Sequence, residues 1–137
     1  MPLYYLDSSA LVKLVRDEPE SASLRSFLAA ADLVSSELVL TEVPRAMRRA
    51  AASEPALSVE QLIGRTQDLL DAVALLPLDR TLLAAAGALE EPVLRALDAI
   101  HLVAAIDVAP IDAFVSYDDR QGATARLAGL RTMAPGA

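Results

Sequence analysis

The stretch LRALDAIHL, residues 94–102, places Asp98 close to His101, the only histidine of the chain, among leucines, alanines and an isoleucine. A carboxylate on a helix face that otherwise resembles a protein core loses hydration on burial, and this loss must be compensated. The compensating group can be a cation, a hydrogen-bond donor or a metal ion. The first question is therefore which partner Asp98 has.

Three other acidic residues lie where a strand ends or within a helical pattern. Asp7 follows the apolar run LYYL, Asp118 follows AFVSY, and Glu42 lies in the segment SELVLTEVPRAMRRA. Each acid also has a purely structural explanation. Asp7 could cap a helix, Asp118 could belong to a turn, and Glu42 could pair with a nearby arginine. Asp98 could be a capping or salt-bridged helix residue.

Clustered carboxylates are suited to phosphodiester hydrolysis. This reaction needs hard cations that neutralise non-bridging oxygens, lower the pKa of an attacking water and stabilise the leaving oxygen. The chain has no cysteine, so oxygen ligands and at most one imidazole are available, which favours Mg²⁺ or Mn²⁺ over structural zinc. We expect His101 to be packed and hydrogen-bonded rather than catalytic, as lone histidines on apolar helices usually are.

Strands and helices are predicted to alternate along the chain and to bring the acids together. Strands are predicted at PLYYL, ADLVSS and DAFVSYD, a last short element at RTMA, and helices at SSALVKLV, SELVLTEVPRAMRRA, SVEQLIGRTQDLLDAVALL, LDRTLLAAAGAL, LDAIHLVAAIDV and DRQGATARLAGL. This alternation predicts a parallel α/β sheet with helices on both faces. Asp7 and Asp118 would then lie at the carboxyl edge of the sheet, where such folds bind ligands.

Two prolines affect where helices begin. Pro44 falls inside the helix that Ser36 would cap, so this helix either kinks or begins later. Pro92 either lies in the first turn of the Asp98 helix or precedes a helix that begins near Leu97. In the second arrangement Asp98 lies near the positive end of a helix dipole, which favours its ionised form.

Length and composition restrict the class of protein. A chain of 137 residues with 54% hydrophobic residues is expected to form a single domain, residues 1–137. The net charge of −7 argues against coating nucleic acid by charge alone, although basic residues cluster after Glu42. The N-terminus lacks a basic leader, and no stretch approaches the roughly 20 apolar residues of a membrane span, so we expect a soluble cytoplasmic protein.

Four segments, YYLDSSALVKL, TEVPRAMRR, LRALDAIHLVAA and AFVSYDDR, resemble in their order and separation the signature segments of PIN-domain ribonucleases, in particular the VapC-type toxins of bacterial toxin–antitoxin systems. The resemblance covers nearly the whole chain. It implies a PIN-like fold, with a central parallel sheet flanked by helices in three α/β/α layers. It also implies an endoribonuclease dependent on Mg²⁺ or Mn²⁺, a homodimer, and inhibition by a small VapB-type antitoxin.

The resemblance assigns catalysis and metal binding to four acids: Asp7, Glu42, Asp98 and Asp118. We expect Asp7 and Asp98 to bind metal directly, and the other two to bind it directly or through water; the number of ions stays open. Substrate contacts are expected from the hydroxyl beside the first acid and from three arginines: Ser9, Arg45, Arg48 and Arg49. For the arginines, simple exposure to solvent is an equally open explanation. Asp119 either shares metal binding or caps the last helix.

Three other functions are open from the sequence. A haloacid-dehalogenase-like phosphatase also has an aspartate after its first strand, but it normally carries a second acid two residues later, where this chain has Ser9. A PIN nuclease of RNA processing shares the same motifs, although a short chain without appended domains favours the toxin. A catalytically silent PIN-fold interaction module would not need all four acids.

Overall fold

The computed structural model describes all residues, 1–137, as five strands and seven helices. In chain order the elements are β1 (Leu3–Leu6), α1 (Ser8–Val15), α2 (Ser21–Leu28), β2 (Asp32–Ser36), α3 (Val39–Ser53), α4 (Val59–Asp71), β3 (Ala74–Leu76), α5 (Arg80–Gly87), α6 (Ala96–Asp107), β4 (Ala113–Val115), α7 (Asp119–Leu127) and β5 (Thr132–Met133). None of the helices combines the length and the apolar character needed to cross a membrane.

The strands form one sheet in the order β3-β2-β1-β4-β5, and every neighbouring pair is parallel. The chain builds outward from β1 through β2 and β3, and then returns to add β4 and β5 on the other side. The strand order therefore reverses between β1 and β4. In open α/β sheets, ligands bind at the carboxyl ends of the strands beside such a reversal. The predicted parallel sheet is confirmed.

Side chains of the sheet alternate between two separate hydrophobic cores. Leu6 and Val115 pack with α1 to α4 on one face, whereas Tyr5 and Phe114 pack with α5, α6 and α7 on the other. Parallel sheets are hydrophobic on both faces, so both must be covered by helices. The expected three-layer α/β/α arrangement is confirmed.

Two elements differ from the sequence prediction. The helix predicted for SVEQLIGRTQDLLDAVALL ends at Asp71, and its last residues form β3. A short apolar run fits either element, and pairing with β2 makes it a strand. Helix α2 is missing from the prediction because it has only eight residues and its N-cap, Glu20, makes no side-chain capping hydrogen bond.

The two prolines have different consequences for helix starts. Helix α3 begins at Val39, because Ser36 is the last residue of β2 and does not cap the helix. Pro44 nevertheless lies inside α3, where it has no N–H to donate to the preceding turn. Helix α6 begins after Pro92, so the later of the two expected starts is confirmed there. Asp98 lies in the first turn of α6.

Candidate active site

All four predicted acids lie at helix N-termini on the carboxyl edge of the sheet. Asp7 is the N-cap of α1, directly after β1, and Asp118 is the N-cap of α7, shortly after β4. Glu42 and Asp98 lie in the first turns of α3 and α6. Each helix N-terminus carries partial positive charge, which stabilises a nearby carboxylate by about 0.3–1 kcal/mol. The fold thus favours negative charge at this edge.

Asp7 is buried and is held by three hydrogen-bond donors. Its Oδ2 accepts a hydrogen bond from the Ser116 hydroxyl at 2.5 Å, and its Oδ1 accepts from the Ser9 hydroxyl at 2.6 Å and the Ala10 N–H at 3.1 Å. Burial raises the pKa of the Asp7 carboxyl, and the bonds from Ser116 and Ser9 oppose this rise. Asp7 is therefore a helix cap, as its structural explanation required, and it is also a buried acid whose charge acts on Asp98.

Ser9 links α1 to the chain that follows β4. Its hydroxyl donates to Asp7 and accepts a hydrogen bond from the Tyr117 N–H at 2.9 Å. The expected contact between Ser9 and substrate stays a prediction, because these two bonds already explain why a small hydroxyl residue stands there.

Glu42 pairs with a histidine rather than with an arginine. His101 Nε2 lies 2.7 Å from Glu42 Oε1, and His101 Nδ1 lies 2.8 Å from the Tyr5 hydroxyl oxygen. Tyr5 and His101 are fully buried. The expectation that His101 is packed and hydrogen-bonded is confirmed, and the pairing of Glu42 with Arg45 or Arg49 does not occur.

The side chain of Asp98 forms no hydrogen bond and no ion pair in the protein. Partial burial raises the pKa of its carboxyl, and the negative charges of Asp118, Asp7 and Glu42 raise it further. These effects of like charge mean that the four acids share one electrostatic environment. Only His101 and the N-terminus of α6 act in the opposite direction, and no hydrogen bond or ion pair compensates the charge of Asp98.

Asp118 and Asp119 have different roles in α7. The Oδ1 of Asp118 accepts hydrogen bonds from the N–H groups of Arg120 and Gln121 at 2.9 Å and 3.1 Å. The alternative in which Asp119 caps this helix is therefore wrong, because Asp118 already does so. The buried Gln121 donates from Nε2 to the backbone oxygen of Asp98 at 3.0 Å and so ties α7 to α6.

Two open cavities adjoin the acids. One, of about 560 Å³, lies between α1 and α3, and its lining includes Ser9, Glu42, Arg45 and Arg49. The other, of about 360 Å³, lies at the starts of α6 and α7 and is lined only by charged residues: Arg95, Asp98, Asp118, Asp119 and Arg120. Arg48 lines neither, and borders a separate pocket beside α4. The structure thus separates Arg48 from the other two predicted arginines.

The oxygen atoms of the site suit a hard cation. Both carboxylate oxygens of Asp98, Glu42 Oε2 and Asp118 Oδ2 accept no hydrogen bond, whereas both nitrogens of His101 are engaged. No three acidic or histidine side chains are arranged to hold one ion by themselves. Mg²⁺ is usually bound by one or two carboxylates and keeps several waters, so this looser arrangement fits it and does not fit tetrahedral zinc.

Sequence reasoning missed several residues of the site, and two of them have readable signals. Ser116 is a polar residue at the carboxyl end of a strand, which is the signal that identified Asp7. Tyr5 carries a hydroxyl in a buried strand, and a buried tyrosine hydroxyl usually needs a partner. Arg95 and Arg120 have no such signal, because only the fold brings them beside Asp98.

The chain is similar over nearly its whole length to known PIN-domain proteins. The PIN domain family matches residues 4–127. Ribonuclease VapC47 of Mycobacterium tuberculosis is 36% identical over 98% of both chains, and Ribonuclease VapC46 of the same species is 39% identical over 98% of this chain and 99% of the relative. Ribonuclease VapC35, also from that species, is 37% identical over 98% of both chains.

Two solved structures share the fold at low sequence identity. Mycobacterium tuberculosis VapC20, a toxin that cleaves the Sarcin-Ricin loop, has a TM-score of 0.72 at 15% identity, covering 96% of this chain and 99% of the other. VapBC2 from Rickettsia felis, bound to a DNA fragment from its promoter, has a TM-score of 0.67 at 15% identity, with 96% and 97% covered.

Proposed function

Because this chain belongs to the PIN-domain family, and within it to the VapC-type ribonucleases, we propose that it is the endoribonuclease toxin of a VapBC-type system and hydrolyses RNA with the aid of Mg²⁺ or Mn²⁺. The observation that carries this proposal is a partly buried Asp98 without counter-ion among three other carboxylates. A silent interaction module gains nothing from a partly buried carboxylate that has no counter-ion and lies beside like charges, because this arrangement costs stability. The full-length VapC relatives favour the toxin over a nuclease of RNA processing.

The proposed chemistry uses the four acids in two ways. A divalent cation held there would act as a Lewis acid and would lower the pKa of a water molecule for attack on the phosphorus. Asp98 offers two free oxygens and Asp7 its remaining lone pairs as direct ligands. Glu42 and Asp118 each offer one free oxygen to the cation or its waters. The hydroxyls of Ser9 and Ser116 keep Asp7 in place while it does so.

The arginines of the two cavities are proposed to bind the RNA backbone on either side of the acids. Arg45 and Arg49 are one helical turn apart and line the same cavity as Glu42, whereas Arg95 and Arg120 line the other. None of these four forms an ion pair in the protein. Guanidinium groups bind phosphates in a bidentate manner, so a strand can be held across the acids despite the negative net charge of the chain.

The test of this proposal is cleavage of RNA by the purified protein. Wild type is incubated with total RNA in Mg²⁺, in Mn²⁺ and in EDTA, and an Asp98→Asn variant purified in the same way controls for contaminating nucleases. We expect cleavage by wild type with either ion and none in EDTA or by the variant. Cleavage that continues in EDTA contradicts the metal, and equal cleavage by the variant contradicts the site.

The proposed protein partners are a VapB-type antitoxin and a second copy of this chain. Several large apolar side chains lie outside the cores, among them Leu40 at 50%, Val93 at 70% and Leu97 at 47% exposure. Exposed apolar surface commonly marks a partner interface. We expect a dimer by light scattering at micromolar concentration, and a monomer there contradicts the homodimer.

The antitoxin is tested by expression in a host cell. Expression of this chain alone is expected to be toxic, and coexpression with a small protein from a neighbouring gene is expected to relieve toxicity and suppress ribonuclease activity. Toxicity that no neighbouring gene relieves contradicts the antitoxin and leaves the nuclease proposal intact.

A further inference from the structure

We infer that Tyr5 and His101 are positioning residues, which hold the Glu42 carboxylate toward the cleft through a directed chain of two hydrogen bonds. In this chain the Tyr5 hydroxyl donates to His101 Nδ1, and His101 Nε2–H donates to Glu42 Oε1. The inference rests on the proposed role of Glu42 in the site. The comparisons with known proteins assign no role to either residue.

The geometry of the two hydrogen bonds is closely defined. The two donor–acceptor distances are 2.8 Å and 2.7 Å, both short enough for strong hydrogen bonds. Tyr5 is 0% and His101 2% exposed, so water does not compete for either ring. The three residues come from β1, α6 and α3, and these elements also carry or adjoin three of the four acids. The chain therefore couples elements that must stay in register at the site.

The direction of the two protons follows from the partners. A neutral imidazole has one donor and one acceptor nitrogen, and a carboxylate only accepts. Nε2 must therefore carry the proton toward Glu42, and in the neutral imidazole that we propose this leaves Nδ1 as an acceptor for the Tyr5 hydroxyl. A tyrosine hydroxyl is protonated at neutral pH and can donate, and it lies 2.8 Å from Nδ1.

Packing keeps the rings of Tyr5 and His101 from rotating out of their hydrogen bonds. The Tyr5 ring stacks on Phe114 with centroids 5.4 Å apart, and the His101 ring meets the edge of Tyr5 at 5.8 Å. A glutamate side chain free in a cleft would keep several rotamers, and fixing it costs side-chain conformational entropy. The hydrogen bond from His101 orders the Glu42 side chain before any ligand binds. Because this bond uses only Oε1, Oε2 stays free to face the cleft.

The first test is nitrogen NMR of the imidazole, and it does not depend on activity. His101 is the only histidine, so its ring nitrogens are assigned without ambiguity. We expect a protonated Nε2 and an unprotonated Nδ1 whose chemical shift reports a hydrogen bond. In Tyr5→Phe that hydrogen-bond shift is expected to disappear. A proton on Nδ1 in wild type, whether or not Nε2 also carries one, overturns the inference.

Tyr4→Phe is the matched control. Tyr4 is the preceding residue of the same strand, and its ring stacks on Phe27 at 4.6 Å, away from His101. This variant loses a hydroxyl from the same strand and is expected to leave the imidazole signals and the cleavage rate unchanged.

The second test separates positioning from substrate binding. Tyr5→Phe is expected to lower kcat for RNA about 10-fold and His101→Leu about 100-fold, the range measured for partners that orient site ligands, with KM within about 2-fold of wild type. His101→Gln keeps an amide donor for Glu42 and is expected to recover much of the loss, which also guards against a folding defect in the leucine variant. Equal kcat in Tyr5→Phe and Tyr4→Phe overturns the inference. Absence of cleavage by wild type overturns the proposed function, and the NMR result still decides the hydrogen-bond chain.

Discussion

The two sides of the acidic cleft are built differently. On the held side, Asp7 and Glu42 are fixed from behind by buried side chains, namely two serine hydroxyls and the His101 imidazole. On the open side, Asp98 and Asp118 line a cavity without any apolar residue, and Asp98 has no partner. The held side is ordered before any ligand arrives. The open side keeps free oxygen atoms that a ligand can use.

The two sides also differ in how the ionised form of each acid is balanced. Burial disfavours the ionised form of Asp7, and hydrogen bonds from Ser116 and Ser9 partly offset this effect. Burial and then the negative charges of neighbouring acids disfavour the ionised form of Asp98, which accepts no hydrogen bond, and only His101 acts in the opposite direction. A cation would stabilise the ionised acids on both sides. Its effect on repulsion between like charges would be largest on the open side, at Asp98.

The largest expected effect is loss of RNA cleavage when an acid on either side of the cleft is replaced. Asp7→Asn and Asp98→Asn each remove one ligand charge and should lower the single-turnover rate of RNA cleavage by about 10²–10³-fold or more, as loss of one electrostatic group in an active site commonly does. Rates are measured at saturating Mg²⁺. A wild-type rate in Asp7→Asn alone would show that the held side is merely structural.

Changes in the arginines should have a smaller effect and act on substrate binding. The double variant Arg45→Ala/Arg49→Ala should raise KM about 10-fold and reduce the salt dependence of RNA binding, because two phosphate contacts are lost. Arg48→Ala is the matched control on the same helix, and it should change KM less than 2-fold because its side chain lines a different pocket. Equal effects of the two substitutions would contradict the proposed path of the RNA.

A smaller effect is expected on the melting temperature in EDTA when the held acid Asp7 is replaced. The raised pKa of Asp7 means that the folded state binds its proton more tightly than the unfolded chain. The stability that the protonated Asp7 contributes is fully present below the pKa of Asp7 in the unfolded chain. It is lost as pH rises through the pKa of Asp7 in the folded protein. At neutral pH, Asp7→Asn should therefore raise Tm in EDTA by a few degrees, at about 4 °C per kcal/mol. The gain should shrink in acid, as calorimetry across pH will show, and a lower Tm at neutral pH would contradict this.

The smallest expected effects concern the two adjacent aspartates of the open side. Asp118→Ala removes an N-cap and should lower the free energy of unfolding by about 1 kcal/mol in EDTA. Asp119→Ala should stay within about 0.5 kcal/mol of wild type, because its side chain caps nothing. Chemical denaturation measures both, and a larger loss for Asp119→Ala would reverse our assignment of the cap.

The sequence predicts the acids of both sides, but not the groups that hold two of them. The strand-to-helix pattern places Asp7 and Asp118 at one edge, and one of the two helix starts that Pro92 allows places Asp98 in a first turn, since these signals are local. The partners that hold Asp7 and Glu42 are distant in sequence. Ser116 is 109 residues from Asp7, and His101 is 59 residues from Glu42. Such pairings depend on the packing of the whole sheet, which one sequence does not reveal.

The errors in the predicted fold have the same origin. Strand β3 has three residues, and only its pairing with β2 distinguishes ALL from the last turn of the preceding helix. Helix α2 has eight residues and is kept by Leu24 and Leu28, which are buried in the core with α1 and α3. Both elements are stabilised by tertiary packing, which outweighs weak local propensity in elements this short.

The most direct test of the proposed metal site is the melting temperature as a function of Mg²⁺ or Mn²⁺ concentration, measured by calorimetry on wild type and Asp98→Asn in the absence of RNA. An ion that binds only the folded state adds about 2.7 kcal/mol when its concentration is 100 times Kd. We predict that the Tm of wild type rises by several degrees over the millimolar range and that the Tm of Asp98→Asn changes little. A wild-type Tm that neither ion changes would contradict the metal site.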